Sequence, residues 1–151
     1  MKVSIIIPTR NVEFNILRLL QALEKQSFKD FEVIFIDSST DATPMIIRKY
    51  KKLRKLKIKL VVKKCSRGEA RNIGIAKAKG KYILFLDGDC IPDREWIKKM
   101  LHYFKYGDMI CGVVKTFPKK NIFYNLVSAI YNARYKNGAK FNFKIKIKKY
   151  E

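Results

Sequence analysis

From Met109 to Tyr150 the chain contains no aspartate or glutamate, while lysine and arginine continue throughout. That deficit contributes to a formal net charge of +21 over 151 residues, which favours anionic partners: phosphates, an acidic membrane surface or nucleic acid. Cysteine is scarce. Cys65, Cys90 and Cys111 are odd in number and widely spaced, which excludes a CxxC or zinc pattern and fits a reduced, cytosolic compartment. A single histidine, His102, falls in a helical pattern and reads as packing or surface. No stretch is long and apolar enough to span a bilayer, and the N-terminus runs directly into a strand-like segment rather than a leader. No internal repeat or low-complexity linker precedes about residue 115.

What remains suits one domain with a real core, because 48% of the residues are hydrophobic. Val3 to Ile7 predicts a strand stopped by Pro8, and Asn11 can cap a helix with Phe14, Leu17, Leu20 and Leu23 on its apolar face. Phe31 to Ile36 predicts a second strand ending at Asp37. Thr43 and Pro44 open a helix whose apolar face is Ile46, Ile47, Tyr50 and Leu53. Ile58 to Val62 is a third strand, and Gly68 to Ala78 a helix. A strand beginning at Tyr82, a helix from about Asp93 to Phe104 and a fifth strand from Met109 to Val114 complete the series. Strand and helix alternate, which predicts a mostly parallel, three-layer α/β sheet. After residue 115, Ile122 to Tyr135 reads as an amphipathic helix rich in aromatic residues. Phe141, Phe143, Ile145 and Ile147 then alternate with polar residues as a half-exposed strand would. The expected division is a core over residues 1–115 and a short basic segment over 116–151.

One segment dominates the functional reading. Tyr82-Ile83-Leu84-Phe85-Leu86 is an apolar run that predicts a fully buried strand, and it ends in Asp87-Gly88-Asp89. Ligands of open α/β sheets bind at the carboxyl ends of strands. Two carboxylates one residue apart at such an end form a hard oxygen site, suited to Mg²⁺ or Mn²⁺ held together with a phosphate. Gly88 is expected to let the backbone turn sharply and to leave room for a bulky ligand. Three other loops are expected at the same edge: Pro8-Thr9-Arg10-Asn11, Asp37-Ser38-Ser39-Thr40-Asp41 and the segment from Ser66 to Asn72.

Together these loops resemble the family 2 glycosyltransferases of the GT-A fold, a three-layer, Rossmann-like architecture. Val3-Ser4-Ile5-Ile6-Ile7-Pro8-Thr9-Arg10-Asn11 is similar to that family's first strand and loop. Asp37 through Asp41, then Thr43, is similar to its Asp-rich second loop. Gly68-Glu69-Ala70-Arg71-Asn72 is similar to its Gly-x-Ala-Arg-Asn element, and Asp87-Gly88-Asp89-Cys90-Ile91-Pro92-Asp93 to its DxD segment with the following proline. The resemblance covers about residues 2–115, with four motifs in the correct order. It implies that Pro8, Thr9, Arg10 and Ser39 belong to the nucleotide-sugar pocket, and that Asp37 hydrogen-bonds the base, usually uracil. Arg71 approaches the nucleotide, Gly88 belongs to the nucleotide-sugar pocket, Asp87 faces the ribose or sugar end, and Asp89 is the more direct metal ligand beside Asp87. The implied chemistry is inverting transfer from a UDP-sugar or related donor, with Mg²⁺ or Mn²⁺ bridging the diphosphate. The implied acceptor is a glycan or lipid-linked phosphate, reached from the cytoplasm with peripheral contact at the inner face of the cell membrane.

Two departures stand out. The second loop is one residue shorter than the family's common form and lacks its glycine. The family's catalytic carboxylate, which takes the acceptor proton, has no counterpart in the acid-free stretch; Asp93, Glu95 and Asp108 do not match it. The last segment resembles a shortened or diverged acceptor half. The alternatives are therefore a nucleotide-sugar-binding remnant that needs a partner chain and, on Asp87-Gly88-Asp89 alone, a phosphatase of the haloacid dehalogenase type. Nucleic-acid binding rests only on charge, chiefly the run Lys51, Lys52, Arg54, Lys55, Lys57 and Lys59, and no nucleic-acid motif accompanies it.

Overall fold

A computed structural model describes residues 1–110 and 112. Its elements, in chain order, are β1 (Val3–Thr9), α1 (Glu13–Glu24), β2 (Phe31–Asp37), α2 (Thr43–Leu53), β3 (Ile58–Val62), α3 (Arg67–Lys77), β4 (Tyr82–Phe85) and α4 (Trp96–Tyr103), followed by a 3₁₀ turn at Phe104–Tyr106. The predicted parallel α/β sheet is present: four strands in the order β3-β2-β1-β4, every described pairing parallel. The chain moves outward from β1 to β3 and then crosses to the other side of β1 for β4. This reversal is the feature that positions the site, because adjacent loops diverge there and leave a crevice at the carboxyl edge.

The strands form because β-branched and aromatic residues line both faces. Every residue of β2 is buried, and Ile5, Ile6, Ile7, Val33, Ile34, Phe35 and Ile36 are wholly inaccessible. One face meets α3: Ile34 and Ile36 cluster with Ala70, and Val61, Cys65, Ile73 and Ala78 pack against them. Gly74 of α3 sits directly on Ile6, so closely that a Cβ there would overlap its side chain. By strand alternation Ile5, Ile7, Val33 and Phe35 project to the opposite face. Helices α1 and α2 pack together, and the Tyr50 hydroxyl donates to Glu24 Oε2 across them at 2.6 Å. Burial and, next, the Glu24 carboxylate push the Tyr50 phenol up to about 12.

Several boundaries and stripes differ from those the sequence predicts. Helix α1 buries Ile16, Leu19, Leu20 and Leu23, while Phe14 is 89% and Leu17 47% exposed. Two i, i+3/i+4 stripes compete in this helix, and the one facing the sheet includes Ile16 and Leu19. In α2, Ile47 and Tyr50 are buried with Thr43, whereas Leu53 at the last turn is exposed. Strand β4 is not fully buried: Phe85 is 46% exposed, because among the described residues β4 pairs only with β1. Helix α4 starts at Trp96, later than expected. Met109, Ile110 and Gly112 take no part in the described sheet; the other positions of the predicted fifth strand, the 122–135 helix and the 141–147 strand lie outside the described residues. The chain divides into a compact unit Met1–Ile97, which holds the whole described sheet, and a second from Lys98 onward. In the second unit, exposed His102 meets the Tyr103 ring edge-on at 5.4 Å.

At the amino edge of the sheet a charge is buried. Glu32, 2% exposed, accepts from the Ser4 hydroxyl at 2.8 Å and the Lys79 N–H at 2.8 Å, and pairs with Lys59 Nζ at 2.9 Å. Gly80 lies against this cluster, where a Cβ would come within 2.5 Å of the β1 backbone. Burial opposes ionisation of Glu32, but the Lys59 ammonium, the Lys79 N–H and the Ser4 hydroxyl outweigh it and hold the carboxyl below its usual range. A carboxyl depressed in the folded state stabilises fully above its unfolded value and loses that contribution as pH falls through the folded value. Glu32→Gln is therefore expected to destabilise by about 1–3 kcal/mol at neutral pH. In urea melts at stepped pH, its stability should also fall less steeply than the wild type's below the normal glutamate range. Equal slopes would show that Glu32 is not an acid-sensitive tie.

Candidate functional site

The site is built where β1 and β2 end side by side. Thr9 and Asp37 are register partners at the last rung of the β1–β2 ladder. Asp37 is wholly buried and Thr9 nearly so. Asp37 Oδ1 accepts from the Thr9 hydroxyl at 2.7 Å and the Ser39 hydroxyl at 2.7 Å, and Oδ2 from the Ser39 N–H at 3.3 Å. The Ser38 N–H donates to the Thr9 carbonyl at 2.9 Å, so the first two loops are joined by backbone as well. Asp37 thus faces inward and organises both loops.

Beyond this clasp, the starts of α1 and α2 cap one another. The Glu13 N–H donates to Asp41 Oδ2 at 3.2 Å, and the Val12 N–H to the Thr43 hydroxyl at 3.0 Å. In return the Ala42 N–H donates to Glu13 Oε2 at 2.9 Å, and Asp41 Oδ1 accepts from the Thr43 N–H at 3.0 Å. Partial burial opposes ionisation of Asp41, but the Thr43 hydroxyl and these amides hold its carboxyl below the usual range. Asn11 does not cap α1 as the sequence suggests; Val12 occupies that position without a side-chain cap. Asn11 instead takes φ 53° and turns its side chain to the second loop, where Oδ1 accepts from the Thr40 N–H at 2.9 Å.

The third and fourth loops meet on the other side of β1. Ser66 caps α3 by accepting from the Glu69 N–H at 3.2 Å, and one turn on, Arg71 donates to Asp87 Oδ1 at 3.2 Å. Both partners are solvent-accessible, with side-chain exposures of 36% and 55%. The Leu86 N–H continues the β4–β1 ladder to the Ile6 carbonyl, and the Cys90 N–H then closes a turn on the Asp87 carbonyl at 3.1 Å. Gly88 is buried inside that turn. A Cβ there would stand 2.8 Å from Thr9 Cγ2 and 3.3 Å from the Pro8 carbonyl. The glycine is needed for close approach of the β4 loop to the β1 loop, a packing reason that the sequence does not show. Burial, followed by the Asp89 and Asp87 carboxylates, pushes the Cys90 thiol up, so it is a poor nucleophile.

Pro8, Thr9, Arg10, Asp37, Ser39, Arg71, Asp87, Gly88 and Asp89 are thus gathered at the carboxyl edge of one sheet, on strand ends, on the loops that follow them and, for Arg71, near the start of α3. Arg10 and Asp89 are exposed there, and Pro8 is half-buried. One residue that sequence reasoning missed is Gln26, wholly buried at the end of α1. Its Nε2 donates to the Asp93 carbonyl at 2.6 Å and its Oε1 accepts from the Ile97 N–H at 3.2 Å, which anchors the segment after Asp89. Nothing in its local sequence marks it, because both partners are distant in the chain.

Among the described residues, no group of three or more His, Cys, Asp and Glu side chains is placed to hold a metal ion. The donor set is Asp87 with Asp89, both exposed. Two carboxylates at an open edge fit Mg²⁺ or Mn²⁺, which keep waters and substrate phosphates as further ligands, and do not fit a closed all-protein site. A hollow lined by Glu24, Lys29, Phe31, Lys55, Leu56 and Lys57 lies at the amino edge, opposite these loops. No helix among the described residues is long and apolar enough to cross a membrane.

Comparison with known proteins agrees with this geometry. The family model described as Glycosyl transferase family 2 matches residues 4–150. The poly(ribitol-phosphate) beta-N-acetylglucosaminyltransferase TarS of Staphylococcus aureus is 39% identical over 102 residues, covering 65% of this chain and 18% of TarS. The UDP-Glc:alpha-D-GlcNAc-diphosphoundecaprenol beta-1,3-glucosyltransferase WfaP of Escherichia coli is 38% identical over 104 residues, 68% of this chain and 41% of WfaP. The crystal structure of S. aureus TarS 1-349 in complex with UDP-GlcNAc superposes with a TM-score of 0.64 at 32% identity, over 82% of this chain and 38% of that one. A mannosyltransferase from Pyrobaculum calidifontis in complex with GDP-Man and Mn²⁺ gives 0.61 at 28% identity, over 83% of this chain and 38% of that one. The chain therefore spans less than half the length of these relatives. The match sets aside the haloacid dehalogenase alternative, whose single motif has no place for the other three loops. With that fold, that strand-order reversal and that match over nearly its whole length, this chain belongs to glycosyltransferase family 2.

Proposed function

We propose that this chain binds a nucleotide-diphosphate sugar, a UDP-sugar foremost, with Mg²⁺ or Mn²⁺ at Asp89 and Asp87, and presents it for inverting transfer to a glycan or lipid-linked acceptor. The observation that carries the reading is the approach of Asp87-Gly88-Asp89 to Pro8-Thr9 across the strand-order reversal, with the Arg71 guanidinium on Asp87. In this reading Pro8, Thr9, Arg10, Asp37 and Ser39 form the nucleoside side of the pocket, and Arg71 attracts the diphosphate while keeping Asp87 oriented. Gly88 brings the two halves together. The metal would supply Lewis-acid stabilisation of the charge on the departing nucleoside diphosphate. The complexes with UDP-GlcNAc and with GDP-Man and Mn²⁺ among the structural relatives support both the ligand class and the ion.

The charge of the chain bears on the acceptor class. Between Asp41 and Glu69 the chain has eleven lysines and arginines and no acid, which suits an anionic acceptor or peripheral contact with the inner face of the cell membrane. Relatives named for poly(ribitol-phosphate) and for a diphosphoundecaprenol acceptor support this class. A second reading, a donor-binding module that completes its activity with a partner chain, is favoured by the absence of any carboxylate from Met109 to Tyr150.

Thermal melts of the chain with UDP-sugars, with and without Mn²⁺, test donor binding. At about a hundredfold excess of ligand over its Kd, stabilisation near 2.7 kcal/mol is expected, and only with the metal present. Asp89→Asn should remove the metal-dependent part and leave the unliganded melt unchanged, because Asp89 is exposed. No stabilisation by any nucleotide-sugar would contradict the reading. Arg71→Ala is expected to weaken UDP binding by about tenfold, measured by calorimetry; unchanged affinity would leave Arg71 as a mere tether for Asp87. Release of UDP in the presence of acceptor, followed beside binding, separates the two readings: binding without turnover supports the partner-dependent module.

A further inference from the structure

We propose that Asn11 is a positioning residue of the base pocket, and that its grip on Ser39 and Thr40 sets which nucleobase the second loop accepts. The inference rests on the donor reading above and adds the determinant of base choice. Among the described residues other than glycine, Asn11 is the one with positive φ, at 53°. Asparagine tolerates this left-handed conformation better than most residues, and such conformations persist where surrounding contacts over-determine them. Here the contacts all cross to the second loop. The Asn11 N–H donates to Ser39 Oγ at 2.8 Å, and Asn11 Oδ1 accepts from the Thr40 N–H at 2.9 Å and the Thr40 hydroxyl at 3.3 Å.

The grip has a chemical consequence at Asp37. Because Ser39 Oγ accepts from the Asn11 N–H, its own hydrogen is free to point to Asp37 Oδ1, at 2.7 Å. With the Thr9 hydroxyl on the same oxygen, Oδ1 is saturated, and Oδ2 keeps only the longer 3.3 Å bond from the Ser39 N–H. Buried and bonded in this way, the carboxylate also fixes the Ser38–Thr40 backbone. That backbone contains no glycine and no positive φ. Its shape is held from the first loop, by Thr9 at Asp37 and Ser38 and by Asn11 at Ser39 and Thr40. A loop held this way presents a fixed pattern of backbone donors and acceptors, which is what distinguishes the edges of uracil, cytosine and guanine.

The test compares the full chain with Asn11→Gly, which keeps the left-handed backbone and removes the amide, and with Asn11→Asp, which keeps an acceptor. Affinities for UDP, CDP and GDP are measured by calorimetry with Mn²⁺, and exchange of the Thr40 amide hydrogen by NMR. Asn11→Gly should melt close to the unaltered chain, exchange Thr40 faster and lose up to about tenfold of its preference for the favoured nucleotide; Asn11→Asp should restore that preference. Should the glycine variant fail to fold, Ser39→Ala, which removes the acceptor of the Asn11 N–H, breaks the other half of the grip and carries the same expectation for nucleotide preference. An unchanged preference, or an equal loss of affinity for all three nucleotides, overturns the assignment of Asn11 alone. Absence of binding of any of the three by the unaltered chain overturns the donor reading and this inference with it.

Discussion

The carboxylate of Asp37, buried at the last rung of the β1–β2 ladder, is the interaction on which the arrangement of the loops depends. Burying a carboxylate costs several kcal/mol unless its lone pairs are filled. Here hydroxyls from Thr9 and Ser39 fill one oxygen, and both come from the loops that the carboxylate must hold. Once those loops are joined, Asp41, Glu13 and Thr43 close the starts of α1 and α2 around them. The fourth loop then needs a surface to land on, and Thr9 provides it, with Gly88 in direct contact. One buried charge thus links helix capping, loop shape and the position of Asp87 and Asp89.

The two ends of the sheet solve the same problem differently. At the amino edge Glu32 is held by a lysine, a serine and a backbone N–H, a closed set with no exposed acid. At the carboxyl edge Asp37 takes only uncharged donors, while Asp87 and Asp89 stand in solvent beside Arg71. The first arrangement ties the sheet to the turn before β4 and leaves nothing to offer a ligand. The second leaves two carboxylates and a guanidinium at an open crevice, the combination that a diphosphate with a divalent ion requires.

Much of the fold was legible in the sequence because the strands are dense in Ile, Val and Phe and the breaks fall at polar loops. The parallel order follows from strand and helix alternating. Which stripe of α1 faces the sheet was not legible, since Phe14 and Leu17 satisfy helical spacing as well as Ile16 and Leu19 do. Nor was the exposure of Phe85, which depends on how many neighbours β4 has rather than on its own apolar run. At the site, the loops were readable as motifs, and the structure gathers them at one edge. The inward direction of Asp37, the packing reason for Gly88 and the anchoring by Gln26 were not, because each depends on a partner 28 or more residues away, or on an approach between loops. Asn11 shows the same limit: its type suggested a helix cap, and only the second loop beside it explains φ 53°.

In the proposed reading, the crevice between the first and fourth loops is the seat of a nucleoside diphosphate and its metal. A crystal structure of this chain grown with UDP and Mn²⁺, with anomalous data collected for manganese, addresses it directly. The expected result is an anomalous peak within bonding distance of an Asp89 carboxylate oxygen and of diphosphate oxygens, with the base against the Thr9–Ser39 loops. A nucleotide seated elsewhere, or manganese bound away from Asp87 and Asp89, would contradict it.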